Sequence, residues 1–374
     1  MISDRGYIDK KHPQRGAECV LLFGTITNLV RFINRRIHYI CVHIIKHNKM
    51  KPKILTEKST VEGCKFVQFY KYRNGHTVPI YDVLSTNALN QLIGHVKFDN
   101  APYGNVYYRG VGGLYDNVLP SLMRHRARGV PDDRSNLLSS ACNNPHLKKS
   151  LKLKDTIYPK KKEDHYINQK INRHNRYCVE ALWQHYAGST RFLDVVDNHW
   201  VALWMGIHDF VPHGKGYKFC KINKRSLSVM DIYENGINKD RAESDFNIYT
   251  YILLIAMPSY CNDRSGICET DEFVEVDLRK ALPSIYLRPH AQHALLIRRR
   301  DKGNINRKAE YYDMASQVTA ILRIRVDRVD KWLGNGTLLS KENLFPSPSI
   351  DQGYNNLLTY LDNYDKPFDI KKYY

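Results

Sequence analysis

Seven polar or ionisable side chains, Gln184, His185, Tyr186, Ser189, Thr190, Arg191 and Asp194, crowd residues 184–194 of this chain. Their types suit work on a ligand. Imidazole exchanges protons near neutral pH, guanidinium grips phosphate or carboxylate with two parallel donors, and a phenol ring stacks on a flat heterocycle. Apolar runs flank the cluster at 178–183 and 200–207. A core element rarely carries so many polar groups, because each buried donor or acceptor needs a partner. A polar cluster between two anchored elements is where binding or chemistry is usually built.

A second group lies upstream. Val106, Tyr107 and Tyr108 read as a short strand ending in Arg109-Gly110. From a strand end, Arg109 presents its fork to an anion while Gly110 lets the backbone approach it. The alternative is an Arg109 paired internally with Asp194. His185 is either a proton carrier or a core histidine bound to a carbonyl, and Tyr186 either stacks on a ligand or fills the core. Thr190, Arg191 and Asp194 also read as a hydrogen-bonded staple for the loop. Gln292, expected on a late strand, either orients a ribose hydroxyl or satisfies backbone.

Several of these segments resemble the FRG domain family, in the same order along the chain. Tyr108-Arg109-Gly110 is similar to its Phe-Arg-Gly signature. Leu119-Pro120-Ser121-Leu122-Met123-Arg124 is similar to the element that follows it, and residues 184–194 resemble its central Gln-His-Tyr…Thr-Arg-Leu-Leu-Asp motif. Ala291-Gln292-His293-Ala294 and Leu344-Phe345-Pro346 resemble later elements, so the likeness runs over roughly 80–361. Ala187-Gly188-Ser189 replaces the family's Gly-x-Pro, and Val195 its usual Trp. The motif order also looks like the split site of ADP-ribosyltransferase-type folds. That likeness implies NAD as ligand, with Arg109, His185, Tyr186 and Gln292 as catalytic residues. Arg109, Gly110, Tyr186, Thr190, Arg191 and Asp194 would hold the nucleotide. Glutamine is a poor charge stabiliser for an oxocarbenium ion, so Glu272 or Glu275 is the alternative source of a carboxylate.

The chain of 374 residues carries a formal charge of +19, which attracts polyanions. The stretch 146–176 holds Lys148, Lys149, Lys160, Lys161 and Lys162 among ten basic residues, and Arg298-Arg299-Arg300 forms a second run. These runs predict either a non-catalytic nucleic-acid interface or solvated faces. A nuclease pairing His185 with Asp194 is a third reading, without an identifiable metal. Eight scattered cysteines, none in a Cys-x-x-Cys pair, fit reduced thiols in a cytoplasm. Cys41, His43 and His47 lack a fourth ligand, so no metal is expected.

The elements that must position these groups predict an α+β fold, a mixed or antiparallel sheet with flanking helices and, through the likeness above, a split sheet. Residues 1–60 read as a basic extension with no unbroken apolar span, leaving open a helix lying on a membrane surface or a true start at Met50. Residues 61–365 form the main domain, with a basic insertion at about 131–165. Strands are expected within 64–82 around an Asn74-Gly75 turn, at 107–109, 249–256, 272–276, 295–298 and 319–326. Helices are expected at 85–96, 168–186 and 197–208.

Overall fold

The computed structural model describes residues 50–57, 61–127, 165–186, 188–213, 216–221, 249–258, 265–301 and 308–362. The extension up to residue 49, most of the insertion at 131–165 and the run Lys148–Lys162 lie outside them. Strands β1 (Cys64–Lys71) and β2 (Thr77–Val83) form a hairpin. Its turn needs Gly75, whose φ is +86°. Helix α1 (Thr86–Asn100) starts at Ser85, whose side chain accepts the Ala88 N–H, and it buries Leu89, Leu92, Ile93 and Val96 at helical spacing. Then follow β3 (Asn105–Val111), α2 (Ser121–Ala127), α3 (His165–Tyr186), β4 (Leu193–Val196) and α4 (His199–Gly206). A separate hairpin joins β5 (His208–His213) to β6 (Gly216–Lys221).

The rest of the sheet comes from β7 (Tyr249–Met257), β8 (Ile267–Glu269), β9 (Phe273–Asp277), β10 (Ala294–Arg299) and β11 (Val318–Arg325). Short helices α5 (Leu278–Ala281) and α6 (Leu287–Ala291) lie between β9 and β10. Helices α7 (Val326–Trp332), α8 (Lys341–Leu344) and α9 (Gln352–Asp362) follow β11. Nine strands form one open sheet in the order β1-β2-β11-β7-β3-β4-β10-β9-β8. Every pair is antiparallel except β2 with β11. The expected α+β class is observed, with a mixed, mostly antiparallel sheet.

Burial on both faces makes β7 a nearly unbroken apolar run. Ile252, Leu254 and Ala256 face a core shared with α1, α4 and α7. Leu253, Ile255 and Met257 face the opposite core, closed by loop residues such as Leu114, Val118 and Met314. Beyond β4, helix α3 packs Leu182, Trp183 and Tyr186 with Val276 and Leu296. Part of the expected 1–60 extension is docked, since Leu55 is buried and its N–H donates to the Thr319 carbonyl.

The sheet narrows at its centre. Strands β3 and β4 pair only at Tyr108↔Val196, whereas β3 pairs β7 over seven residues and β10 pairs β4 over four. Where β4 ends and the chain turns into α4, the first half of β3 continues with β7 alone. Two half-sheets thus meet at one joint, with a cleft beside it.

Candidate functional site

At one end of the joint, the Arg109 Nη1 donates to the Asp194 carbonyl at 2.6 Å, a group the ladder would have bonded had the strands stayed together. Burial, with Arg124 adding like charge and Asp194 opposing both, lowers the Arg109 pKa to about 10. Arg109→Ala is therefore expected to leave a folded chain that is less stable by about 1–3 kcal/mol, the cost of an unpaired carbonyl. A urea titration measures it, and an unchanged midpoint would show the bond to be dispensable.

Gly110 has a different task from the expected ligand contact. A Cβ there would lie 1.7 Å from the Ala202 carbonyl oxygen and 2.8 Å from the Gly206 nitrogen. Helix α4 crosses β3 at this point, and only a hydrogen atom fits between their backbones.

The central motif forms two linked locks. Gln184 on α3 donates to Asp194 Oδ2 at 2.6 Å and accepts the Thr190 hydroxyl at 2.8 Å, while Thr190 Oγ1 accepts the Phe192 N–H. The staple joins Thr190 to Asp194 through Gln184. Arg191 belongs to a separate buried cluster. Its Nε and Nη2 grip both oxygens of Glu180 at 3.0 and 2.6 Å, and its Nη1 reaches Asp301 at 2.7 Å. Arg298 donates to the same Glu180 at 2.9 Å and pairs with Asp301. Burial pushes the Glu180 carboxyl up, but Arg191 and Arg298 outweigh it and hold its pKa at about 2.

His185 and Tyr186 are core residues at the end of α3. The Tyr186 hydroxyl donates to Asp351 at 2.7 Å, and the Arg288 guanidinium lies 4.4 Å from the Tyr186 ring and 4.6 Å from that of Tyr354. Arg288 also donates to the His185 carbonyl. Gln292 is the C-cap of α6, two residues before β10 begins, and its amide donates to the Leu344 carbonyl at 2.8 Å. The expected strand position is thus corrected: backbone capping needs the amide at the helix end.

The second basic run is committed internally. Arg298 is only 1% exposed, so it presents no charge to a polyanion. Arg299 donates to the Asp313 carbonyl and Ser316, and Arg300 pairs with Glu269 at 2.9 Å.

The cleft, of about 520 Å³, opens beside the other end of the joint. Its polar lining includes Tyr107, Asp197, Glu275, Asp277, Arg279 and Lys280, with Lys97 at the end of α1. The Tyr107 hydroxyl crosses the face of β4 and β10 to donate to Glu275 at 2.6 Å, and Asn105 donates to that hydroxyl at 3.1 Å. Burial, then the Glu275 charge, push the Tyr107 phenol far above its ordinary range, so it stays a donor. Arg279 bridges two carboxylates, Asp277 at 2.9 Å and Asp197 at 2.8 Å. None of Arg109, Gly110, His185, Tyr186, Thr190, Arg191, Asp194 or Gln292 lines this cleft. Among the described residues no group of side chains is arranged to hold a metal ion, and no helix is long and apolar enough to cross a membrane.

These features define an α+β protein whose open sheet is pinched between two half-sheets, with Arg109-Gly110 and the 184–194 loop closing one side of the pinch. The chain contains an FRG domain: the FRG domain model matches residues 104–212, from β3 into β5. The match holds the signature strand, the Leu119–Arg124 element and the central motif. Gln292 and the 344–346 segment lie beyond it. No curated protein and no solved structure matches the chain.

Proposed function

We propose that this FRG-domain protein takes a nucleotide of the NAD class in the cleft beside the β3–β4 joint and acts on its nicotinamide–ribose bond, releasing nicotinamide or transferring ADP-ribose. The observation that carries this reading is the Glu275 carboxylate on the cleft wall, fixed by the Tyr107 hydroxyl at 2.6 Å. Breaking the bond to nicotinamide develops positive charge on the ribose, and a preorganised carboxylate stabilises it. Lys97, Arg279 and Lys280 supply cationic groups for a diphosphate. The volume suits a small-molecule site, which spans roughly 300–1,000 Å³. Glu275, rather than Gln292, supplies the charge-stabilising group, with Tyr107 fixing it, while Arg109 and Gln292 serve the scaffold.

The formal charge of +19 favours a polyanion as acceptor or partner, with Lys148, Lys149, Lys160, Lys161 and Lys162 as the basic residues left for that contact. Incubation with NAD and assay of free nicotinamide tests the reading. Glu275→Gln is expected to lower release by about 10²-fold or more, the scale of losing one group that stabilises transition-state charge. Release that is absent in the unmodified chain, or equal in the variant, would sink it.

A further inference from the structure

His293 is not itself part of the cleft lining but adjoins it through the lining residues Asp197 and Arg279, in a backbone conformation that favours glycine, with φ +51°. It follows the C-cap of α6, where a left-handed residue ends a helix and glycine is the usual occupant. The His293 side chain is 43% exposed, and its Nδ1 lies 3.1 Å from Asp197 Oδ1. Asp197 lines the cleft, as does Leu295 two residues beyond His293.

We propose that Asp197 and His293 form a general-base pair for the cleft, an inference that rests on the nucleotide reading above. A carboxylate only accepts hydrogen bonds, so Asp197 places the proton of the neutral imidazole on Nδ1 and leaves Nε2 with its lone pair. No described residue bonds Nε2. Arg279 Nη1 lies 3.5 Å from Nδ1, the longer and weaker contact, and Arg279 itself holds Asp197 Oδ2 at 2.8 Å, fixing the carboxylate from behind. The other charged groups nearby are Asp277, bound to Arg279, and Lys97, Glu275 and Lys280 on the cleft lining.

In the reaction, Nε2 takes the proton of a water or an acceptor hydroxyl as that oxygen bonds to the ribose carbon. The carbon–nitrogen bond to nicotinamide breaks, and its electron pair leaves with the ring nitrogen, so a cationic pyridinium departs as neutral nicotinamide. The imidazolium then returns its proton to solvent. Glu275 steadies the charge on the ribose, and His293 readies the nucleophile, so the two roles are separable.

Spectroscopy, binding and kinetics on the full chain test the pair. Histidine-selective ¹⁵N spectra, with the His293 signal identified by its loss in His293→Asn, are expected to show the Nδ1–H tautomer. In Asp197→Asn, which removes the carboxylate that accepts the Nδ1 proton, that tautomer preference is expected to be lost. Asparagine tolerates the left-handed backbone, so His293→Asn should keep the circular dichroism spectrum of the parent. Its kcat for nicotinamide release is expected to fall by about 10²–10⁴-fold, with NAD affinity by calorimetry within about twofold. An Nε2–H tautomer, or bound NAD with unchanged kcat in His293→Asn, overturns the base. Failure of the unmodified chain to bind NAD overturns the nucleotide reading and, with it, the reaction assigned to the pair.

Discussion

Gly110→Ala is expected to yield no folded protein, since among the described glycines none would bring an added methyl group closer to its neighbours. The added carbon would sit 1.7 Å from the Ala202 carbonyl oxygen, far inside contact distance. The obstacle is helix backbone, so no side-chain rotation relieves it. Helix α4 would have to lift from β3, taking Ala202, Leu203 and Trp204 out of the core they share with Tyr108 and Leu254. Gly206 closes the same contact, because a Cβ there would meet Thr250 Oγ1 at 2.3 Å. A cost above about 4–5 kcal/mol is expected, at the extreme end for point substitutions and comparable to the whole stability of many domains. Gly113→Ala is the control, since a Cβ there meets nothing within 4 Å. Thermal unfolding of both should show Gly113→Ala near the parent. A Gly110→Ala protein melting within a few degrees of it would mean that α4 does not seat on β3 as described. The final residue of the Tyr-Arg-Gly signature is, on this account, a packing requirement.

The second large effect is expected at Glu180. Its carboxylate is 1% exposed and faces two guanidiniums, Arg191 and Arg298. Glu180→Gln keeps the shape but removes the charge, leaving Asp301 alone to offset both cations. Removing one partner of a buried ion pair costs about 3–5 kcal/mol. The pH dependence has a definite sign. The folded pKa is held at about 2, against 4.5 for a free glutamate. A depressed carboxylate contributes stability that is complete above the unfolded pKa and is lost as pH falls through the folded one. The parent should therefore lose roughly 3 kcal/mol from this group as pH falls from about 4.5 towards 2. Glu180→Gln should lack that share of the slope. Denaturant midpoints at several pH values for both chains decide it, and parallel curves would remove Glu180 from the acid response.

Both effects bear on how the FRG motifs divide their labour. Arg109, Gly110, Thr190 and Asp194 converge on the β3–β4 joint, where Arg109 ties the strands, Gly110 admits α4 and Gln184 fastens Thr190 to Asp194, while Arg191 serves the separate Glu180 cluster. That scaffold holds β3 so that Tyr107, two residues before Arg109, can reach across β4 and β10 to Glu275. The groups with room to meet a ligand sit on the far side of the joint from the motif residues.

The sequence by itself determined the longer strands and the helices α1, α3 and α4, but not β4, β5, β6, β8 or the remaining helices. Period-3.6 apolar spacing marked α1 and α3, and the 249–256 run marked β7, because a half-sheet with both faces covered must be apolar throughout. The FRG signatures were legible as short strings of fixed residue types. Two internal roles went unread, although the sequence carried a signal for each. Glu180 is an acid inside the apolar run 178–183, one helical turn before Gln184, and Arg298 shares the inward parity of Ala294 and Leu296 along β10. Only the tertiary structure decided which polar groups meet. Arg298 and Glu180 are 118 positions apart, and Tyr107 and Glu275 are 168 apart. Local spacing says nothing about partners at such separations. The cleft exists because β4 stops after four residues while β3 continues, a mismatch between two strands that neither strand's sequence records. His293 was readable as part of a motif, but its bond to Asp197 arises from antiparallel pairing of β10 with β4, which brings the start of one strand beside the end of the other.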